Sequence, residues 1–316
     1  MDPIVPLEAS PTLTGDEQNL SRAVELLSQN LFLGSLISAA VAAGYQFLID
    51  PMLQSKAAHN PISKRNPTPN ISFSSGRTCE SYAESLCHEL IHFAIMRAGR
   101  IRGLQMTPIA DIAMRQCEEA AVLAITSDLM YQAAHGVNMA DNNAFPELWK
   151  ANLASSFYTA RAYEAHAGSR SMAVQKAFRR FYTLPDNKFR EKYKAYSVNA
   201  ILAERPEILT NSQNFTQGFN PVSFAGFLPP PYDQILMPCL AAMRPNDPEY
   251  LVVNVDLAER IDADFVSRRR AARSTIPDWT VMVTDEGNRH FPWSPRKGSL
   301  ATQMGRHSST PAYAVG

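Results

Sequence analysis

Residues 80–99 read ESYAESLCHELIHFAIMRAG, and the five letters at 88–92, HELIH, govern how the rest of the chain is understood. An α-helix turns about 100° per residue, so His88 and His92 lie only about 40° apart, one turn along the same face. Glu89 sits on the neighbouring flank, while Leu86, Leu90, Phe93 and Ala94 gather on the opposite side. The stretch predicts a helix from Thr78 to Ala98, stopped by Gly99, with an apolar back that packs and a histidine front that faces something else.

Two neutral imidazoles one turn apart can both reach a zinc ion at about 2.0–2.1 Å. A carboxylate beside the first histidine then stands over a water held on the metal. It takes the water's proton as general base and passes it to a leaving amine. Chance is a weak competitor, because 7 His and 16 Glu in 316 residues yield this pattern only about 0.01 times per chain. What the pattern needs is a third ligand.

The next helical stretch, MTPIADIAMRQCEEAAVLAITSDLMYQAA at 106–134, is apolar nearly all round and predicts a buried helix from Ile109 to Ala134. Glu118 and Glu119 sit at its centre. A buried carboxylate without a partner costs several kcal/mol or protonates. A metal ion is one partner, and Arg115, at i−3 from Glu118 and i−4 from Glu119, is another. The economical assignment gives Glu119 to the metal, since Ala120 and Ala121 beside it permit close helix approach, and Glu118 either to Arg115 or to a place behind the metal ligands. Exchange of the two glutamates, and an internal cluster of both with Arg115, are the other arrangements.

Outward from these helices the chain is less specific. It is 45% hydrophobic and 19% charged with a formal net charge of zero, so no global field points to nucleic acid or an anionic membrane. The N-terminus, MDPIVPLEASPTLTGDEQ, lacks the basic start and apolar core of a secretory signal. The most hydrophobic run, Leu31 to Ile49, is diluted by Gly34, Ser35, Ser38, Gly44 and Gln46, and reads as a helix end followed by a strand rather than a membrane span. Four cysteines without a CxxC pair predict free buried thiols, and with them a soluble, cytoplasmic protein.

Residues 1–15 read as a flexible lead-in, and Asp16 as the cap of one helix running to about Ala43. YQFLID (45–50) and NISFSS (70–75) are strand candidates, with the proline-rich 52–69 as loop between them. Two or three helices are expected over 144–203. Twelve of the 22 prolines fall after residue 205, so 206–295 is expected to be mostly extended, with one strand (250–255) and one helix (256–272). Residues 296–316 are expected to be a disordered tail. The fold class is α+β, predominantly helical, with a small sheet.

His88-Glu89-Leu90-Ile91-His92 followed by Glu119 on a second helix resembles the zincin-like metallopeptidases of the glutamate-ligand (gluzincin) kind. More closely, the chain is similar to a poorly characterised group of bacterial metallopeptidases in which an R-x-x-E-E-A motif opens the ligand helix. Here that motif is Arg115-Gln116-Cys117-Glu118-Glu119-Ala120. The resemblance spans about residues 20–200. It implies a zincin-like domain over 16–205, one zinc held by His88, His92 and Glu119, Glu89 as base, and a peptide or protein substrate. It also places NISFSS to line the cleft and pair with an extended peptide, the other reading of that stretch being an ordinary structural strand. A donor for the developing oxyanion is sought among Tyr131, His135, Tyr158, Tyr163 and His166, with Arg161 alongside, and none is assigned.

A second class of function is written in residues 170–194, RSMAVQKAFRRFYTLPDNKFREKYK. Eight Lys/Arg interleave there with Phe178, Phe181, Tyr182, Phe189 and Tyr193, and a further run, Arg268-Arg269-Arg270 with Arg273, follows. Basic residues with aromatics can hold a nucleic-acid strand, which would make the chain a non-catalytic binding protein on a zincin-like scaffold. The plainer reading is a helical hairpin with solvated charges and packed rings.

Overall fold

The computed structural model describes residues 14–61, 67–99, 105–154, 159–184, 188–244, 250–285 and 289–308. It is predominantly helical, 62%, with two small mixed sheets. The chain divides into two compact units, residues 1–93 with 126–156, and residues 94–125 with 157–316. The division passes through two continuous helices, so it does not coincide with the boundary expected at 205/206.

The first unit begins with α1 (Gly15–Ser28) and α2 (Leu31–Ala42), where a single helix was expected. Thr14, not Asp16, caps α1: its hydroxyl accepts from the Glu17 amide and the Glu17 carboxylate accepts from the Thr14 amide, a reciprocal capping box. The break before α2 comes from Asn30, whose side-chain oxygen accepts from the amides of Phe32 and Leu33 at 3.1 Å and restarts the helix. Gly34 makes the tight junction possible, since a Cβ there would lie 2.6 Å from the Ser28 carbonyl oxygen. The expected lead-in lies outside the described residues apart from Thr14 and Gly15.

Asp16 has a different task. Its carboxylate accepts from the amides of Gly76 and Arg77 and from the Tyr82 hydroxyl at 2.8 Å, tying α1 to the turn that precedes α3 (Cys79–Arg97). Those donors hold the Asp16 carboxyl below its usual range, the Gly76 amide most of all. Helix α3 forms within a residue of its expected ends, and Gly99, at φ +97, provides the left-handed stop.

The first sheet holds β1 (Gln46–Ile49), β2 (Ala57–Asn60) and β3 (Asn70–Phe73) in the order β1-β3-β2, with β1 parallel and β2 antiparallel to β3. Strand β2 lies inside the segment expected to be loop. Its presence overturns the expectation for NISFSS: β3 is the central strand, both of its edges are used by neighbours, and no peptide can add to it. Tyr45 and His59 stack at 5.3 Å, with a 3.0 Å hydrogen bond, and both pack edge-on against Phe93 on the apolar back of α3.

Helix α4 (Pro108–Ala134) forms as expected, and α5 (Pro146–Leu153) follows it. The second unit continues with α6 (Thr159–Glu164), α7 (Arg170–Thr183) and α8 (Lys188–Leu202), so the described residues of 144–203 hold four helices rather than two or three. Beyond residue 205 the chain is far more helical than its prolines suggest: α9 (Pro206–Thr210), α10 (Pro221–Phe224) and α11 (Tyr232–Ala242) each begin at or just after a proline. Proline at the first turn loses no helical hydrogen bond and pre-sets φ, so it starts helices as readily as it ends them.

Strand β4 (Val252–Asn254) leads into α12 (Val255–Arg260), a π-helical stretch Ile261–Val266 and α13 (Ser267–Ala271). Then come β5 (Val281–Thr284), β6 (His290–Trp293) and α14 (Leu300–Ser308). The sheet order is β4-β5-β6, and its core gathers Phe265, Trp279, Val281, Val283 and Trp293 with Ile112, Val198 and Ile201. The tail expected to be disordered from residue 296 carries α14, docked by the Asp262 carboxylate on the Leu300 amide at 2.8 Å and by Gln303 on the Ser294 backbone. Among the described residues no helix is long and apolar enough to cross a membrane.

Candidate metal centre

Between Tyr82 and Phe93 on α3 every residue is buried except the two histidines, which are half-buried. Their Nε2 atoms face one another at 3.2 Å, with ring centroids 4.9 Å apart and planes at 67°. Glu89, at 8% exposure, is enclosed beside them. The back of the helix is apolar at Leu86, Leu90 and Phe93 as the wheel predicts, but Glu84 and Ser85 are buried too, so the helix is more polar inside than its pattern suggests.

Glu119, 3% exposed, comes from the middle of α4. One ligand atom from each of His88, His92 and Glu119 lies within 4.8 Å of the others, the only such group of three among the described residues. Of the two adjacent glutamates, Glu119 is therefore the one placed with the histidines. Glu118 is 4% exposed, and Arg115, the cation expected to pair with it, is held by another acid. The Arg115 guanidinium goes one turn back, to Asp111 at 2.7 Å, and stacks over the Tyr196 ring at 5.1 Å. Asp111, 1% exposed, lies at i−4 from Arg115, the spacing at which helical side chains meet.

The donor set can be tested against zinc. Two nitrogens on one tetrahedral ion at about 2.0–2.1 Å stand about 3.3 Å apart, close to the spacing found here. Two imidazoles and a carboxylate are also the donor types of an open zinc site, which keeps a fourth position for solvent or substrate. Cys87, next to His88, is not a competing ligand: burial, with Glu84 adding to it, pushes its thiol well above the ordinary range. Burial raises Cys79, Cys117 and Cys239 likewise, and all four cysteines are free and buried as expected.

The oxyanion candidates separate. Tyr131 stacks on His135 at 4.0 Å and meets Trp149 edge-on, His135 and His166 are exposed, and Tyr163 is buried. Tyr158 lies outside the described residues. Arg161 is exposed on α6.

The basic, aromatic segments are largely absorbed by packing. Phe178, Phe181 and Tyr182 are buried, so their rings are not open to stacking bases, and Arg190 donates to the carbonyls of Tyr182 and Tyr250. In the second run Arg269 is fully buried on the carbonyls of Leu209, Asn211 and Thr275, Arg270 pairs with Asp262, and Arg268 pairs with Asp264. Phe189 lies among the residues whose side chains are not described.

No protein-family model, no curated protein and no solved structure matches this chain.

Proposed function

We propose that this chain is a zinc-dependent metallopeptidase of the zincin-like, glutamate-ligand kind. The observation that carries the reading is the convergence of His88, His92 and Glu119, three ligands drawn from two separate helices. The motif alone places two histidines together by helical geometry; bringing a buried glutamate to them takes tertiary structure.

His88 and His92 would bind through Nε2 and Glu119 through a carboxylate oxygen. Bound zinc would supply Lewis-acid polarisation of the scissile carbonyl and lower the pKa of water. Glu89 is the proton carrier. Its carboxylate takes a proton from the attacking water, and hands it to the amide nitrogen as the carbon–nitrogen bond breaks. Enclosure of Glu89 suits this exchange, because a carboxylate shielded from bulk solvent keeps the proton it has taken for the leaving amine.

The test is elemental analysis of the purified chain followed by turnover on a mixed peptide library. About one zinc per chain, with cleavage that stops on chelation and in Glu89→Gln, is the expected result. Equal cleavage by wild type and Glu89→Gln would overturn the assignment of Glu89, and a chain that takes up no zinc on reconstitution would overturn the whole reading.

A further inference from the structure

Strand β1 forms one border of the first sheet and pairs with β3 alone. The amides of Gln46 and Asp50 donate to the carbonyls of Pro69 and Phe73 at 3.1 and 2.8 Å. Alternate residues of a strand turn to opposite neighbours, so the N–H and C=O groups of Phe47 and Ile49 point to the outer edge. Among the described residues no strand or bridge covers that edge. Free edges in natural proteins are blunted by charge, proline or a bulge, and Gln46–Ile49 carries none of these.

Exposed apolar side chains lie on the strand and near it in the chain, and Asp50 is the acid that closes it. Leu48 is 41% exposed, Val41 58% and Met52 85%, and no charged side chain occurs from Leu26 through Ile49. A lipid surface is a poor match for this patch, since interfacial segments carry flanking basic residues and no Lys or Arg lies between Arg22 and Lys56.

We propose that β1 docks a second copy of this chain, by antiparallel β1–β1 pairing about a two-fold axis. Such an axis sets residues against their own copies, where any charge would meet like charge; an uncharged strand is suited to meet itself. The outward groups fix the register. Phe47 pairs with the partner's Ile49 and Ile49 with the partner's Phe47, which leaves Leu48 on the axis against the partner's Leu48. That central pair is a close, non-hydrogen-bonded one, and the two three-stranded sheets become one continuous sheet.

The experiment is sedimentation of the full 35.0 kDa chain over about 1 to 100 µM, with Leu48→Lys and Leu48→Glu alongside. Wild type is expected to sediment as a dimer. Each variant, substituted at a half-exposed site that a monomer tolerates, should weaken the dimer at least about ten-fold. An equimolar mixture of the two should restore it, since opposite charges then face across the axis. Monomeric wild type, a dimer unaltered by either variant, or a mixture that stays monomeric would each overturn the proposal. A monomer that floats with phosphatidylcholine vesicles would assign the patch to lipid instead.

Discussion

The Nε2 atoms of His88 and His92 stand 3.2 Å apart across one turn of α3. This spacing already suits two nitrogens on one ion, so the helix needs little adjustment to bind. His88→Ala and His92→Ala are each expected to lower zinc affinity at least about 100-fold, because two remaining donors cannot close a tetrahedral site. Competition with a chromophoric chelator reads this directly, and wild-type affinity in either variant would exclude the pair as ligands.

Glu89→Gln preserves shape and removes the carboxylate proposed to accept the proton. Turnover should drop by about 10² to 10⁴ while zinc content stays at one per chain. The comparison must be made on the same preparation, so that loss of metal and loss of base are told apart.

Arg269 should be a strong stability determinant of the second unit. It is fully buried and its guanidinium holds the carbonyls of Leu209, Asn211 and Thr275 at 2.7–3.1 Å. Arg269→Met would leave those oxygens without their donor and is expected to cost about 3 kcal/mol. Urea unfolding followed by tryptophan fluorescence is apt, since Trp279 and Trp293 sit in the same core. An unchanged midpoint would mean the loop carbonyls find other partners.

The tie between Asp16 and Tyr82 predicts stability lost at both ends of the pH scale. Hydrogen bonds hold the Asp16 carboxyl below 3.8, so its contribution is present above that pH and disappears as pH falls through the lowered value. Burial, with the Asp16 bond adding to it, pushes the Tyr82 phenol up to about 12, so its contribution is whole below pH 10 and is lost as pH rises toward 12. Tyr82→Phe should flatten the alkaline loss, measured as thermal midpoint against pH. A steep loss between pH 10 and 12 that persists in the variant would assign it to other groups.

Gly136 offers a sharper local test. Its φ is +70 and a Cβ there would lie 2.6 Å from the Asn142 carbonyl oxygen. Gly136→Ala is expected to destabilise by about 2 kcal/mol through backbone strain and the clash together. A variant as stable as wild type would show that this turn relaxes freely.

Much of the candidate site was legible because it is helical. The i, i+4 spacing of His88 and His92, the stop at Gly99 and the apolar surround of Glu118 and Glu119 are all properties of neighbouring residues. The choice of Glu119 over Glu118 was less secure in sequence, since both lie within reach of Arg115. It rests in the structure on a ligand atom of Glu119 lying within 4.8 Å of those of the two histidines. The helix-rich C-terminal region was misread for an equally local reason: proline was weighed as a breaker where Pro206, Pro221 and the run ending at Pro231 open helices.

What the sequence determined by itself is the pair of helices α3 and α4 and the shared face of His88 and His92, since helical hydrogen bonds join residues four apart and periodicity records which face packs. Tertiary structure alone decided the rest. It made β2 a strand and so moved β3 from an open edge to the middle of its sheet, brought Glu119 within 4.8 Å of the histidines, and folded the expected tail into α14. Strand order, a ligand contributed by a distant helix and a docked terminus all depend on contacts between residues far apart in the chain, which no local pattern encodes.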